Sequence, residues 1–534
     1  MTLKQYIIGT ALLATALCST RCTDDLLDTV PNDRLAQSFF WKTENDAKFA
    51  VNAAYPYLDD PNRIFRRDAY SDIGHVNEFF SVNALVEQNL DASSSVVAEE
   101  WTFAYNGIAA ANFVLDNIDK IPVTDANTAA LAQYKSEARV LRAYQYIKLV
   151  GLFGDVPLVK KNISIEEARQ LTRTPSNEIW DFVDAELHEA VDGLKDTYPA
   201  ADKGRMTKGA ALALAARANL YAGRMEKAIA AAQAVMDLHV YDIYPEYGKL
   251  FSYGAENNIE VIIDRQYLKD VLSNQVFAIM APYSVNNTTS PSPNMYVPTK
   301  ALADMYTMND GIPITDAASG FDPYNPYTNR DPRLTFSLFV PGSNLPNGKI
   351  FDPRPNSGTP DAIGSTYFAP STGYAVKKYV NIEDLNSKTN NGINIIQLRY
   401  AEVLLTYAEA KIALNQIDAS VLDAINDVRR RNDVNLPALE AGLTQDELTD
   451  IVRRERTIEL AFEGHRLFDI RRWRIAGDVV PGNVYGITYD DGGTLKTIEV
   501  PSFTKQFDPS RNYLWPIPQN ERVLNPNLSK NDGW

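Results

Sequence analysis

Cysteine is nearly absent: the 534 residues hold two, Cys18 and Cys22. Histidine is scarce too, and no two of His75, His188, His239 and His465 stand at metal-ligand spacing. There is no HExxH, CxxC, P-loop or GxSxG elbow. Zinc chemistry, a thiol nucleophile and a hydrolase serine therefore lack their residues, and the sequence assigns no catalytic residue, metal or cofactor. A basic cluster is also missing. Asp and Glu number 68 against 52 Lys and Arg, a net charge of −16, which repels phosphate backbones and excludes a nucleic-acid partner. The apolar run from Tyr6 to Cys18 falls short of the roughly 20 residues that span a bilayer.

That run follows Lys4, and residues 1–21 contain no acid, the pattern of an export signal peptide. Cys18 lies inside the signal, so Cys22 is the one thiol of the mature chain and has no disulfide partner. The role that fits is thioether attachment of diacylglycerol to Cys22 as the first residue of a bacterial lipoprotein. Each buried CH₂ of an acyl chain contributes about 0.8 kcal/mol to such an anchor. Asp24 and Asp25 follow, as suits a solvated tether, although Arg21 stands where lipoprotein signals favour a small residue. Lipidation at Cys18 and an unmodified Cys22 thiol are the alternatives. Cleavage before Cys22 takes the net charge from −16 to −18.

What the chain has in quantity is helical periodicity, with enough hydrophobic residues (45%) for a large core. In "RYAEVLLTYAEAKIAL", Tyr400, Val403, Leu404, Tyr407 and Ala408 form one stripe, and "VLDAINDVRRR" continues with Leu422, Ile425 and Val428. "TQDE" starts a further helix with a capping box, Thr444 and Glu447, whose apolar stripe runs through Leu448, Ile451, Val452, Ile458 and Phe462. Thr174-Pro175 starts another, with proline at the first helical position. "GRMTKGAALALAARANLYAGRMEKAIAAAQAVMDL" reads as two alanine-rich helices hinged at Gly223-Arg224. This is a tetratricopeptide-like hairpin, or failing that a generic helical hairpin, and the 400–430 pair is a second such unit.

Residues 281–390 break the pattern. They hold 14 of the 29 prolines, eight tyrosines and five phenylalanines, a composition that sustains no long helix. The expected fold class is mainly α: tetratricopeptide-like hairpins supporting a large loop-rich region with a few short strands. The expected divisions are the signal 1–21, an N-terminal part 22–260 and a C-terminal part 261–534. The last contains loop-rich 281–390, helical 395–475 and C-terminal loops 476–534, and the two parts form one unit.

Two clusters invite a chemical reading. Glu455, Glu459 and Glu463 share a helix face, and a glycosidase needs two carboxyl groups roughly 5–9.5 Å apart. Seven arginines crowd the same segment, from Arg453 to Arg474, so Arg–carboxylate pairing is the simpler account. "NRDPR" (329–333) reads as a polar turn before a strand-like "LTFSLFVPG", and Asp310-Gly311 as a structural turn without EF-hand spacing.

Several stretches together resemble the SusD/RagB family: "CTDDLLDTVPNDRL", "EARVLRAYQYIKLVGLFGDVPLV", "GRMTKGAALALAARANLYAG", "NRDPR", "LRYAEVLLTYAEAKIALN", "ERTIELAFEGHRLFDIRRW", "YLWPIPQNE" and "NPNLSKNDGW". They occur in order from Cys22 to Trp534. The resemblance implies a surface-exposed, lipid-anchored outer-membrane protein of Bacteroidetes, non-catalytic, that binds a glycan or other nutrient. Its implied partner is a SusC-like TonB-dependent transporter, over which it sits as a lid. It also implies that Trp101, Trp180 and Trp473 pack the fold.

No family motif transfers the glycan contacts, so these are proposed from chemistry: aromatic faces for sugar C–H groups, amides for hydroxyls. One candidate platform is Phe79 and Phe80. The other is Tyr283, Tyr296, Tyr324 and Tyr327 among Asn287 and Asn294, with Asn286 and Asn325 nearby; ordinary loop packing is the alternative for each. The acidity of the chain favours a neutral polymer. A glycoside hydrolase and an assembly protein without its own ligand are the competing functions.

Overall fold

The computed structural model describes residues 40–77, 87, 89–289 and 291–534. Cys18, Cys22, Phe79 and Phe80 lie outside these residues.

Eleven helices carry the architecture: α1 (Glu44–Asn52), α2 (Pro61–Ala69), α3 (Ser95–Leu115), α4 (Thr128–Phe153), α5 (Ser176–Val191), α6 (Lys208–Tyr221), α7 (Met225–Asp237), α8 (Tyr400–Ala413), α9 (Ala419–Arg429), α10 (Gln445–Glu459) and α11 (Arg466–Arg472). From α3 to α8 each packs on the next, and α8 then packs on both α9 and α10. The stack therefore continues across the long insertion between α7 and α8, as the two expected hairpins require.

Composition explains the close packing. Ala210, Ala211, Ala213, Ala215, Ala216 and Ala218 of α6 are all buried, and small side chains let neighbouring helix backbones approach. Gly223 ends the hairpin turn at a φ of +73°, a left-handed conformation that glycine adopts without strain. Residues 401–412 of α8 are buried on every side, because α7, α9 and α10 enclose it. At α10 the Thr444 Oγ1 accepts from Glu447 N at 3.3 Å, and Thr444 N donates to Glu447 Oε2 at 2.8 Å, the reciprocal cap foreseen. Pro175 sits one position earlier than expected, as the N-cap of α5.

The strands form four antiparallel pairs: β1 (Gly74–Val76) with β3 (Tyr296–Pro298), β2 (Val261–Arg265) with β6 (Ile395–Arg399), β4 (Leu338–Phe339) with β5 (Ala375–Val376), and β7 (Gly482–Asp490) with β8 (Leu495–Lys505). Three local expectations fail, the first being that residues 476–534 are loops, since they hold the β7–β8 hairpin. Residues 395–399, read as helical, form β6, whose Ile395 and Ile396 pair with Arg265 and Asp264 of β2. The "LTFSLF" stretch begins as a short helix, Arg333–Ser337, because Asp331 Oδ1 accepts the Arg333 N–H at 2.9 Å and so caps a turn entered through Pro332. Only Leu338–Phe339 is strand.

One core fills the helical stack. A second, rich in aromatics such as Phe65, Tyr247, Phe251, Tyr306 and Tyr379, lies under the loop-rich region and draws on residues from Ile64 to Phe503. Trp101 and Trp473 are buried and Trp180 is half-buried against the helical core.

Candidate functional site

In the loop-rich region the backbone is held by side chains rather than by long ladders. Asn77, just past β1, donates its amide to Ala369 O at 3.0 Å and accepts from Ser371 N at 2.7 Å. Asn294, just before β3, donates to Phe368 O at 2.9 Å, at a φ of +48° that asparagine tolerates better than most residues. Two asparagines thus pin the 368–371 loop to the β1–β3 pair.

This pinning brings Phe368 against Tyr283, with ring centroids 5.1 Å apart and planes tilted by 33°. Tyr283 starts a short helix whose next residue, Ser284, donates its N–H to Asp361 Oδ1 at 3.0 Å. Burial raises the Asp361 carboxyl above its ordinary range. Asn287 ends that helix at a φ of +43° and accepts from Lys388 Nζ. Beside Phe368 in the chain, Tyr367 is 82% exposed. Half-buried Tyr283 and Phe368 are in ring contact, exposed Tyr367 immediately precedes Phe368 in the chain, and Asn287 lies four residues beyond Tyr283.

The other two tyrosines gather elsewhere along the same loop system. Tyr324 is exposed, held by an Asx turn in which its N–H donates to Asp322 Oδ1 at 2.9 Å, and its hydroxyl reaches Gly493 O at the β7–β8 turn, 3.5 Å away. Half-buried Tyr327 donates to Tyr374 Oη at 3.4 Å, and burial raises both phenols well above their usual range.

Two candidate positions need correction. Tyr296 is fully buried in β3, its hydroxyl on Asn62 Oδ1, so it packs the core and offers no ring to solvent. Asn294 is buried and acts on the loop backbone, although its Oδ1 has no hydrogen-bond partner. Sequence reasoning missed Tyr367 and Phe368. The signal is in "STYFAP": two adjacent aromatics in a polar stretch, as at Phe79 and Phe80, here with a proline two residues on.

The expected helix face is shorter than the spacing suggests: α10 ends at Glu459, Phe462 takes a φ of +58°, and Glu463 falls in the turn beyond, yet Glu455, Glu459 and Glu463 are all buried and ion-paired. Arg333 reaches Glu455 and, at 2.9 Å, Glu459 Oε2; Arg399 and Arg431 reach Glu459 Oε1 at 2.6 and 2.7 Å. Glu463 accepts from Arg399 and from Lys378 Nζ at 2.8 Å. Burial opposes ionisation of Glu459, but Arg431, Arg399 and Arg333 outweigh it and hold the carboxyl well below the usual range. A carboxylate so held is no general acid. The pairing was foreseen but the partners were not. Of the local arginines, Arg456 pairs with Asp469 at 2.8 Å, Arg466 with Asp72 at 2.7 Å and Arg472 with Glu409. "NRDPR" is likewise no plain surface turn, since Asp331 and Arg333 are fully buried and paired at 2.8 Å.

Among the described residues no group of three His, Cys, Asp or Glu side chains could hold a metal ion.

Comparison with known proteins agrees with this architecture. A family model described as "Starch-binding associating with outer membrane" matches residues 25–220, and the SusD family model matches residues 259–534. SusD-like protein P2 of Formosa agariphila is 27% identical, with 99% of each chain covered. A SusD-like carbohydrate binding protein from Bacteroides fragilis has a solved structure that superposes with a TM-score of 0.83 at 28% identity, covering 92% of this chain and 100% of that one. A laminarin binding SusD-like protein shares the fold, with a TM-score of 0.71 at 20% identity over 92% of this chain and 100% of that one. With more than half of its length matched by the family model, the chain belongs to the SusD family.

Proposed function

We propose that this protein is a non-catalytic glycan receptor, anchored to the outer membrane through lipid on Cys22 and exposed at the cell surface. It captures a polysaccharide or oligosaccharide on its loop-rich face and passes it to a SusC-like TonB-dependent transporter. The observation that carries the reading is the patch of Tyr283, Tyr367 and Phe368, held in place by Asn77 and Asn294. Sugar rings present C–H faces that stack on aromatic side chains, while amides satisfy their hydroxyls. Tyr324, on the same loop system, supplies a further exposed ring for a longer chain. Family membership supports the ligand class, as do relatives described as carbohydrate binding and laminarin binding. The burial and ion pairing of Glu455, Glu459 and Glu463 support the non-catalytic reading.

The test is titration of the protein against a panel of polysaccharides, with reducing ends assayed in the same tubes. Saturable binding of one polymer with no new reducing ends is expected. Release of reducing ends would overturn the non-catalytic reading, and an absence of binding across the panel would overturn capture by the isolated chain.

A further inference from the structure

Far along the chain from the loop residues of that patch, a cleft of 740 Å³ opens where several helix ends meet. The ends of α4 and α6, the start of α5, helix α11 and the C-terminal segments 509–514 and 530–532 wall it. A smaller pocket of 160 Å³ shares Arg471 and Arg511 with it. In a chain of net charge −16, this cleft is locally basic: five arginines and Lys530 line it against Asp155 and Asp532.

Most of these cations are already engaged. Arg472 donates to both oxygens of Glu409, at 2.5 and 2.7 Å, and to Asp469 at 2.8 Å. Arg173 donates to the carbonyl oxygens of Asp155 and Lys530 at 2.8 and 2.9 Å. Arg511 lies over the Trp534 ring at 4.9 Å and within 3.4 Å of Asp508. Arg471 is different. Its Nε and Nη1 are buried without a hydrogen-bond partner, and among the described residues no carboxylate pairs with it. Its guanidinium carbon lies 5.9 Å from the Trp515 ring centroid. Arg471 is half-buried as a residue, and a cation drawn partly out of water without a counter-charge is costly, so burial lowers the pKa of this guanidinium with no acid to offset it. An anion in the cleft would complete the site.

The shape and lining narrow the anion. A guanidinium fork holds a carboxylate or sulfate through parallel hydrogen bonds. The volume lies in the range of small-molecule sites, larger than a bare ion needs. Trp180 and Tyr513 on the walls provide aromatic surface, and Tyr513 is fixed by its hydroxyl bond to Arg474 O at 3.0 Å. We propose that this cleft is a second saccharide subsite, selective for acidic sugars, in which Arg471 pairs with the carboxylate of a uronate or the sulfate of a sulfated sugar. The proposal rests on the glycan-receptor reading and refines it, since net acidity alone favours a neutral polymer.

The experiment is calorimetric titration of the full chain with oligogalacturonate, with a sulfated galactan oligosaccharide, with the carboxyl-reduced and desulfated counterparts, and with inorganic sulfate. At least one acidic ligand is expected to bind about tenfold or more tightly than its neutral counterpart, as a charge-assisted bond warrants, and the preference should shrink with added salt. Which acidic ligand binds decides between uronate and sulfate. Arg471→Met should erase the preference without lowering the melting temperature, because it removes an unpaired charge; Arg471→Gln is the second variant should packing fail. Equal binding of acidic and neutral ligands, or a preference that survives both substitutions, would overturn the subsite, as would binding of sulfate with no acidic saccharide. If neutral polymers bind while acidic preference is absent, this subsite alone fails. If no saccharide of either kind binds, the receptor reading fails with it.

Discussion

Arg399 grips Glu463 with both arms of its guanidinium: Nε donates to Oε2 and Nη2 to Oε1, each at 2.7 Å. The pair joins β6 to the segment after α10, and Lys378 adds a third bond from the loop-rich region. Glu463→Gln leaves Arg399 and Lys378 underpaired in the core, and loss of a buried partner costs about 3–5 kcal/mol. Urea unfolding should show that loss. A catalytic glutamate would instead give a variant of normal stability without hydrolysis, so a stable Glu463→Gln protein would count against the structural role.

Tyr296 and Tyr283 are separated by burial, and their substitution should separate binding from stability. Tyr296→Phe removes the bond to Asn62, worth about 1 kcal/mol, and should lower the melting temperature while glycan affinity stays unchanged. Tyr283→Ala removes a half-buried ring that packs on Phe368 and should weaken binding by about tenfold, or 1.4 kcal/mol. Calorimetry on both variants checks the contrast.

Stability should respond to pH through several buried groups. Burial raises the Asp68 carboxyl from 3.8 to about 7 and lowers the His465 imidazole from 6.5 to about 4. Between pH 4 and 6.5 the folded state therefore holds more protons than the unfolded chain at Asp68 and fewer at His465. Rising pH destabilises through the first and stabilises through the second, so the two oppose each other. Asp264 and Asp384, each raised to about 6 by burial, act in the same sense as Asp68, so Asp68→Asn removes one of the opposing carboxyls and the urea midpoint of that variant should rise relative to wild type from pH 4 to 6.5. At Glu402 burial opposes ionisation, but the paired Arg217, at 2.6 and 2.7 Å, wins and holds the carboxyl at about 2. The stability it contributes above 4.5 should be lost as pH falls towards 2. A wild-type midpoint that does not fall in that window would contradict the assignment.

The proposed anchor has its own test. Cys22→Ser should abolish incorporation of radiolabelled palmitate and move the protein from the outer-membrane fraction to the soluble fraction, because single-site diacylglycerol is the only attachment proposed. Labelling that persists in Cys22→Ser and is lost in Cys18→Ser would move the lipid to Cys18.

Legibility followed the range of the interactions. The Gly223 turn and the Thr444–Glu447 cap are set by residues within a few positions of each other, and the sequence exposes them. The periodic stripe of α8 located the helix but understated its burial, since enclosure by α7, α9 and α10 is tertiary. Glu455, Glu459 and Glu463 were legible as ion-paired acids, but their partners Arg333, Arg399 and Lys378 lie 60 to 126 positions away, and no local spacing announces them. The same limit governs the site. Tyr296 reads as a loop tyrosine until β3 pairs with β1 and buries it, whereas Tyr367 gains its place only when Asn77 and Asn294 pin the loop beside it.

The most direct test of the account is the affinity of the double variant Tyr367→Ala, Phe368→Ala for the polymer that wild type binds best. The account predicts a loss of about 100-fold or more, the sum of two aromatic contacts, at an unchanged melting temperature and with no reducing ends released by either protein. Unchanged affinity in a folded double variant would contradict capture of the glycan at this patch.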